Sequence, residues 1–278
     1  MGKPDFLCVG AQQAGTTWLH QMLRQNPGVW LGPFQEYQFF NALFVKGDAE
    51  WVGWHVRTKV HNAIRYSVAA APNNIDLDYL RYLMDIVDEH SMFTEAWYSH
   101  IFSRGGQAVK GDISPAYCSI PAEGVDYVLR TQGPIPVIFL VRDPAGRALS
   151  QLRMNISRTR SGPPTTRAQW EQVAANPEIA ARGDYRRYIA DWLARYPEQK
   201  LLFVPFRDVD ADPLGVLRRV EQHIGVGAQA IYAKAGERVY EGADLELPGY
   251  VTEMVQQQFR PQYDYLERTF GKAFAQRV

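Results

Sequence analysis

Apolar residues fall along this chain in two kinds of run. Phe6-Leu7-Cys8-Val9, Pro136–Val141 and Leu201–Phe206 are short and apolar almost throughout. A run of that kind fits a strand covered on both faces. Each is followed by a break and then by apolar positions three and four apart: Leu19, Met22 and Leu23; Ala148, Leu149 and Leu152; Leu217, Val220 and Ile224. That spacing predicts helices. Asn26-Pro27 stops the first of them, and Pro144 suits a first helical turn, where its missing N–H costs nothing. Tyr185, Tyr188, Ile189, Trp192 and Leu193 mark a further amphipathic helix, and Met254, Val255, Tyr265, Leu266 and Phe270 a closing one.

Strands alternating with helices predict an α/β fold, a central parallel sheet flanked by helices. No linker divides the chain, so residues 1–278 read as a single domain. Arg158–Pro164 reads as a surface loop. Residues 41–105 carry a weaker pattern. Trp51, Trp54, Trp97 and several tyrosines there fit either an acceptor pocket or core packing.

Composition adds limits. Hydrophobic residues make up 46% of the 278 and formal net charge is zero. Nucleic-acid binding through bulk positive charge is therefore not expected, and any anion site must be local. The two cysteines, Cys8 and Cys118, read as small core residues rather than a disulfide, and no metal-ligand spacing appears, so no metal is expected. The first residues, MGKPDFLCVG, lack the marks of a signal peptide, and no apolar run approaches the ~20 residues that span a bilayer. The expectation is a cytoplasmic protein with no membrane partner. The oligomeric state is left open.

Two segments carry chemistry. Gly10-Ala-Gln-Gln-Ala-Gly15-Thr16-Thr17 has the spacing of a P-loop, GxxxxG followed by two hydroxyl residues. Such a turn converges backbone N–H groups on an anion at a helix start, although the same spacing also fits a plain strand-to-helix turn. The lysine of nucleotide triphosphatases is absent, with Thr16 in its place. The second segment is Arg142-Asp143-Pro144-Ala-Gly-Arg147-Ala-Leu-Ser150. In a parallel sheet ligands gather at the carboxyl ends of strands, and Arg142 lies at such an end. Its planar fork suits a terminal phosphate, with Ser150 two helical turns on. A surface Arg–Asp pair with a solvated serine fits equally well.

Taken together the two segments resemble the sulfotransferase family. GAQQAGTTWL resembles its 5′-phosphosulfate loop, and LVRDPAGRALS its 3′-phosphate motif, RxPxxRxxS. Gln35-Glu36-Tyr37-Gln38-Phe39-Phe40, Gly111-Asp112-Ile113-Ser114-Pro115-Ala116-Tyr117, and Gly183-Asp184-Tyr185 with LLFVPFRDVDADP resemble segments of its heparan-sulfate and related bacterial branch. The matches keep their order from about residue 6 to Phe270-Gly271. The resemblance implies 3′-phosphoadenosine 5′-phosphosulfate (PAPS) as sulfuryl donor, 3′-phosphoadenosine 5′-phosphate (PAP) as product, and no metal. It implies that Gln13, Ala14, Gly15, Thr16, Thr17 and Trp18 wrap the phosphosulfate, that Arg142 and Ser150 hold the 3′-phosphate, and that Glu36 is the general base. Lys234–Tyr240, with Arg238, falls where the family closes a loop over the nucleotide.

One departure matters. Gln13 stands where the family has lysine, so it donates a hydrogen bond but no charge. Loss of such a donor costs roughly 10²–10³-fold in rate. The chain is then an active enzyme with another cation in that role, Lys110 or an arginine; a weak or inactive PAPS/PAP-binding protein; or a protein altered at Gln13 to stall turnover. A P-loop small-molecule kinase is the rival outside the family. The aromatic residues of 30–120 and the zero net charge favour a small acceptor with an aromatic or apolar part. The six histidines have no motif around them and rank below Glu36 as bases.

Overall fold

A computed structural model describes residues 2–159, 162–237 and 245–278. Five strands are present: β1 (Phe6–Gly10), β2 (Val29–Trp30), β3 (Val109–Ile113), β4 (Val137–Val141) and β5 (Leu201–Pro205). The helices in chain order are α1 (Thr16–Leu23), α2 (Phe39–Phe44), α3 (Asp48–Ala70), α4 (Leu77–Ile86), α5 (Glu95–Ile101), α6 (Ala122–Gln132) and α7 (Pro144–Arg158). They continue as α8 (Arg167–Ala174), α9 (Pro177–Ala181), α10 (Tyr185–Arg195), α11 (Phe206–Ala211), α12 (Pro213–Ile224), α13 (Gly249–Phe270) and α14 (Lys272–Ala275).

The strands form one sheet in the order β2-β3-β1-β4-β5, and every pairing is parallel. β1 and β4 are buried at every residue, as their unbroken apolar runs require. The chain builds outward from β1 to β2 and β3 on one side, then crosses to β4 and β5 on the other. The carboxyl end of β1 is thus a topological switch point, where such sheets leave a crevice. The main core spans the sheet and its covering helices. A second cluster joins α7 to α13 through Leu152, Ile156, Val255 and Phe259, with Trp170 of α8 and Ile179 of α9.

The weakly patterned stretch 41–105 resolves into four helices, α2 to α5. α3 is 23 residues long, yet only Val52, Val56 and Val60, four apart, mark its buried stripe together with Gly53. Trp97 is core, its indole N–H donating to the Ile86 carbonyl at 2.7 Å. Trp51 and Trp54 are exposed. Cys8 and Cys118 are both buried free thiols. Of the surface loop expected at 158–164, residues 160 and 161 lie outside the described residues.

Candidate active site

The turn between β1 and α1 is anchored to β4, its neighbour in the sheet. Ala11 N–H donates to the Leu140 carbonyl at 2.8 Å. Gly15 has a φ of 87°, and a Cβ there would lie 3.0 Å from the Phe206 ring, so glycine is required on two counts. No side chain caps α1, and its first-turn amides have no intrahelical partner. Thr16, Thr17 and Trp18 therefore begin a helix whose positive end faces a cleft. Ala14 packs its methyl into the core.

Two residues past Leu140 the chain places Arg142 beside this turn. Its Nη1 donates to the Gln13 carbonyl at 2.6 Å, and the guanidinium lies over the Phe206 ring at 4.8 Å. The Tyr185 hydroxyl fixes the Arg142 carbonyl at 3.0 Å. Ser150, two turns into α7, donates to Gln13 Oε1 at 3.0 Å, while Gln13 Nε2 reaches Met154 Sδ at 3.3 Å. Arg142, Ser150 and Gln13, separated by up to 137 residues in sequence, therefore meet in one place. The second motif arginine, Arg147, is fully buried and structural: it donates to Gln151 Oε1 and to the Ile179 carbonyl, both at 2.7 Å.

Asp143 has a different task. It caps α7 by accepting from the Gly146 N–H, and its other oxygen accepts from the Tyr263 hydroxyl at 2.6 Å. Both oxygens are thus engaged in holding α7. Among the described residues no group of three or more His, Cys, Asp or Glu is arranged to hold a metal.

Glu36 enters the same cleft from the loop after β2. Gln13 and Glu36 both have left-handed backbones, with φ of 63° and 68°, an uncommon conformation for residues with side chains. The Glu36 loop is over-determined by its neighbours, which is what holds such a backbone in place. Gln38 N–H donates to Ser114 Oγ at 3.2 Å and Phe39 N–H to the Tyr117 hydroxyl at 2.9 Å. Those hydroxyls, with that of Tyr98, donate in turn to the fully buried Asp112 at 2.6–2.7 Å. Burial pushes Asp112 up to about 6, against the pull of these three donors. Burial likewise raises Glu36 above its ordinary range, opposed by the Lys59 charge and by the Gln38 amide, 3.1 Å from Oε2. Phe34, Phe39 and Phe40, close to it in sequence, are buried, Phe34 against Tyr37 and Phe39 and Phe40 against Tyr98.

The cleft measures about 1660 Å³. α7 forms one wall with Ser150, Arg153, Met154 and Arg158. α3 forms the other, with Trp51, Trp54, His55, Thr58, Lys59 and Asn62 spaced as one helical stripe beside its buried valines. The sequence reading missed Lys59 and His55, and it missed Arg182, which donates to Gln12 Oε1 at 2.9 Å. A stripe at i, i+3, i+4, i+7, i+8 and i+11 was there to be read, but four of its six members are polar and the hydrophobic period hid it. The structure corrects one candidate: Lys110 lies early in β3 and pairs with Asp5 at 3.0 Å, away from the cleft, because cleft residues come from the carboxyl ends of strands. Ala235, Gly236 and Glu237 border the cleft, and Trp18 Nε1 holds the Ala235 carbonyl at 2.8 Å. Arg238 falls outside the described residues.

Comparison with known proteins places the chain by sequence and by fold. The chain is 26% identical over 177 residues to heparan sulfate glucosamine 3-O-sulfotransferase 3B1 of Mus musculus, a match covering 60% of this chain and 41% of that protein. It is 22% identical over 241 residues to the bifunctional heparan sulfate N-deacetylase/N-sulfotransferase 2 of Homo sapiens, covering 80% of this chain and 22% of that protein. The chain thus spans less than half the length of these curated relatives. Its fold matches a sulfotransferase from Alicyclobacillus acidocaldarius with a TM-score of 0.63 at 20% identity, covering 96% of both chains. Sulfotransferase STF1 of Mycobacterium tuberculosis matches with a TM-score of 0.53 at 19% identity, over 94% of this chain and 77% of that one. The profile of the sulfotransferase family fits residues 4–229, most of the chain, and the protein belongs to that family.

Proposed function

We propose that this protein transfers a sulfuryl group from PAPS to a hydroxyl, or an amine, of a small-molecule acceptor. The observation that carries this reading is the meeting of Arg142 and Ser150 with the β1–α1 turn at Gln13, in the cleft that Glu36 also lines. The residues present fit the donor. Free amides of a helix start suit the 5′-phosphosulfate. A guanidinium and a hydroxyl two helical turns further on suit the ribose 3′-phosphate. In that arrangement Arg142 and Ser150 exchange their contacts with Gln13 for contacts with the nucleotide.

Glu36 then takes the acceptor's proton. Burial raises its pKa above the ordinary carboxylate value, the direction a general base requires. The remainder of the catalysis is positioning and charge stabilisation, as in other in-line group transfers. The exposed indoles of Trp51 and Trp54 at the cleft favour an acceptor with an aromatic or apolar part.

A second reading, nucleotide binding without efficient turnover, draws on the uncharged Gln13 and the engagement of its amide with Ser150 and Met154. Calorimetry with PAP and with ATP·Mg tests the nucleotide assignment. Tight PAP binding without ATP·Mg binding is expected, and the reverse pattern would overturn it in favour of a kinase. Release of PAP from PAPS in the presence of phenol and alcohol acceptors separates an active enzyme from a binding protein.

A further inference from the structure

The charge that Gln13 does not carry has another source in this cleft. The side chain at position 13 is turned onto Ser150 and Met154, so it neither supplies charge nor points freely into the site. The arginines that border the cleft are mostly committed. Arg142 holds the Gln13 carbonyl, Arg153 holds the Leu245 carbonyl at 3.0 Å, and Arg182 holds Gln12 and pairs with Glu178. Arg158 stands eight residues beyond Ser150 on α7, about 12 Å along the helix.

Lys59 is placed differently. It lies on the cleft-facing stripe of α3, one turn beyond His55, and is half-buried. Among the described residues its ammonium makes no hydrogen bond and no ion pair. Its neighbours come from three elements: Glu36 on the loop after β2, His20 on the second turn of α1, and His55 on α3 itself. The charge of Lys59 pulls the Glu36 carboxyl down and disfavours protonation of both histidines, which burial already keeps neutral. The side chain of Lys59 thus lines the same cleft as Glu36 and the turn at Gln13–Trp18.

We infer that Lys59 replaces the missing loop lysine as the cation on the transferring sulfuryl group. The inference rests on the sulfuryl-transfer reading above. In the step it serves, a lone pair of the acceptor oxygen forms the new O–S bond while the bond from sulfur to the bridging oxygen of PAPS breaks. That electron pair stays on the bridging oxygen, which leaves as a phosphate oxygen of PAP. The acceptor proton goes to the Glu36 carboxylate. Lys59 keeps its own proton and offsets the negative charge growing on the bridging oxygen as its bond to sulfur breaks. A flexible ammonium on a four-carbon stem reaches this point from α3, whereas a glutamine on the turn contributes only a neutral dipole.

The test compares wild type with Lys59→Met, Lys59→Arg, Gln13→Lys and the Lys59→Met/Gln13→Lys double variant. PAP affinity is measured by calorimetry, and PAP release from PAPS is followed with 4-nitrophenol and with water alone as acceptors. Lys59→Met is expected to lower kcat about 10²-fold with PAP affinity within twofold of wild type. Lys59→Arg is expected to retain most of the rate, and Gln13→Lys to restore at least tenfold in the Lys59→Met background. A Lys59→Met variant within twofold of wild-type kcat overturns the inference, as does a change confined to acceptor KM or a Gln13→Lys change that fails to rescue. Loss of PAP binding in every protein, wild type included, would instead remove the nucleotide reading on which the inference rests.

Discussion

The two walls of the cleft are built on different principles. The donor wall, from the β1–α1 turn, the end of β4 and the first turns of α7, is made of backbone and short connections. Its groups are placed by the sheet: once β1 and β4 pair, Arg142 has little choice but to meet Gln13. The acceptor wall is a helix face laid against the core through three valines, with its ligand-facing stripe a mixture of two indoles, an imidazole and an ammonium. The donor wall is fixed by hydrogen bonds between segments that strand pairing brings together, 129 and 137 residues apart in the chain. The acceptor wall is fixed by packing, and its outward residues are free to vary without disturbing the fold. On the proposed function, recognition of the donor and of the acceptor would be divided between a rigid part and an adaptable one.

The largest test of this division is Glu36→Gln, at the junction of the walls. It is expected to lower kcat by roughly 10²–10⁴-fold with little change in PAP affinity, read by steady-state kinetics and calorimetry. Next comes Arg142→Ala on the donor wall. It removes charge-assisted bonds worth about 2–3 kcal/mol, so PAP affinity is expected to fall some 30- to 150-fold in calorimetry. Trp54→Ala should leave that affinity unchanged. If the indole were needed for nucleotide binding, the two walls would not be separate.

A pH profile sharpens the comparison further. Glu36 works as a base only when ionised, and burial raises its pKa above the ordinary 4.5. Turnover should therefore be lost as pH falls, along an acid limb above the usual carboxylate range. Lys59 pulls that pKa down, and Lys59→Met should move the limb upward; Arg182 acts in the same direction and Asp112 in the opposite one. An unmoved limb would mean that another group is being titrated. The smallest expected effect is that of Ser150→Ala. Loss of one neutral hydroxyl is worth about 1 kcal/mol, or a factor of about five in PAP affinity.

Much of the donor wall was legible from residue order. Gly15 has to be glycine because of its backbone and the Phe206 ring, and a turn of that kind between an apolar run and a helix has a readable signature. Asp112 shows the opposite case. It sits in a motif that the sequence displays, but its part in bracing the Glu36 loop depends on Tyr98, Ser114 and Tyr117 meeting around it. No spacing announces that meeting, since Tyr98 comes from α5 and the other two from the turn after β3.

By itself the sequence determined the alternation of strand and helix, the parallel sheet, the glycine turn between β1 and α1, and the pairing of Arg142 with Ser150 as a second motif. These are local periodicities and fixed offsets, set by backbone geometry. Tertiary structure alone decided that α3 would face the cleft, that Lys110 would stand outside it and Lys59 within, and that Gln13 would bond to Ser150. Those outcomes depend on which helix faces find each other when the core closes, and a side chain's neighbours as far as 137 residues away leave no periodic mark in the chain.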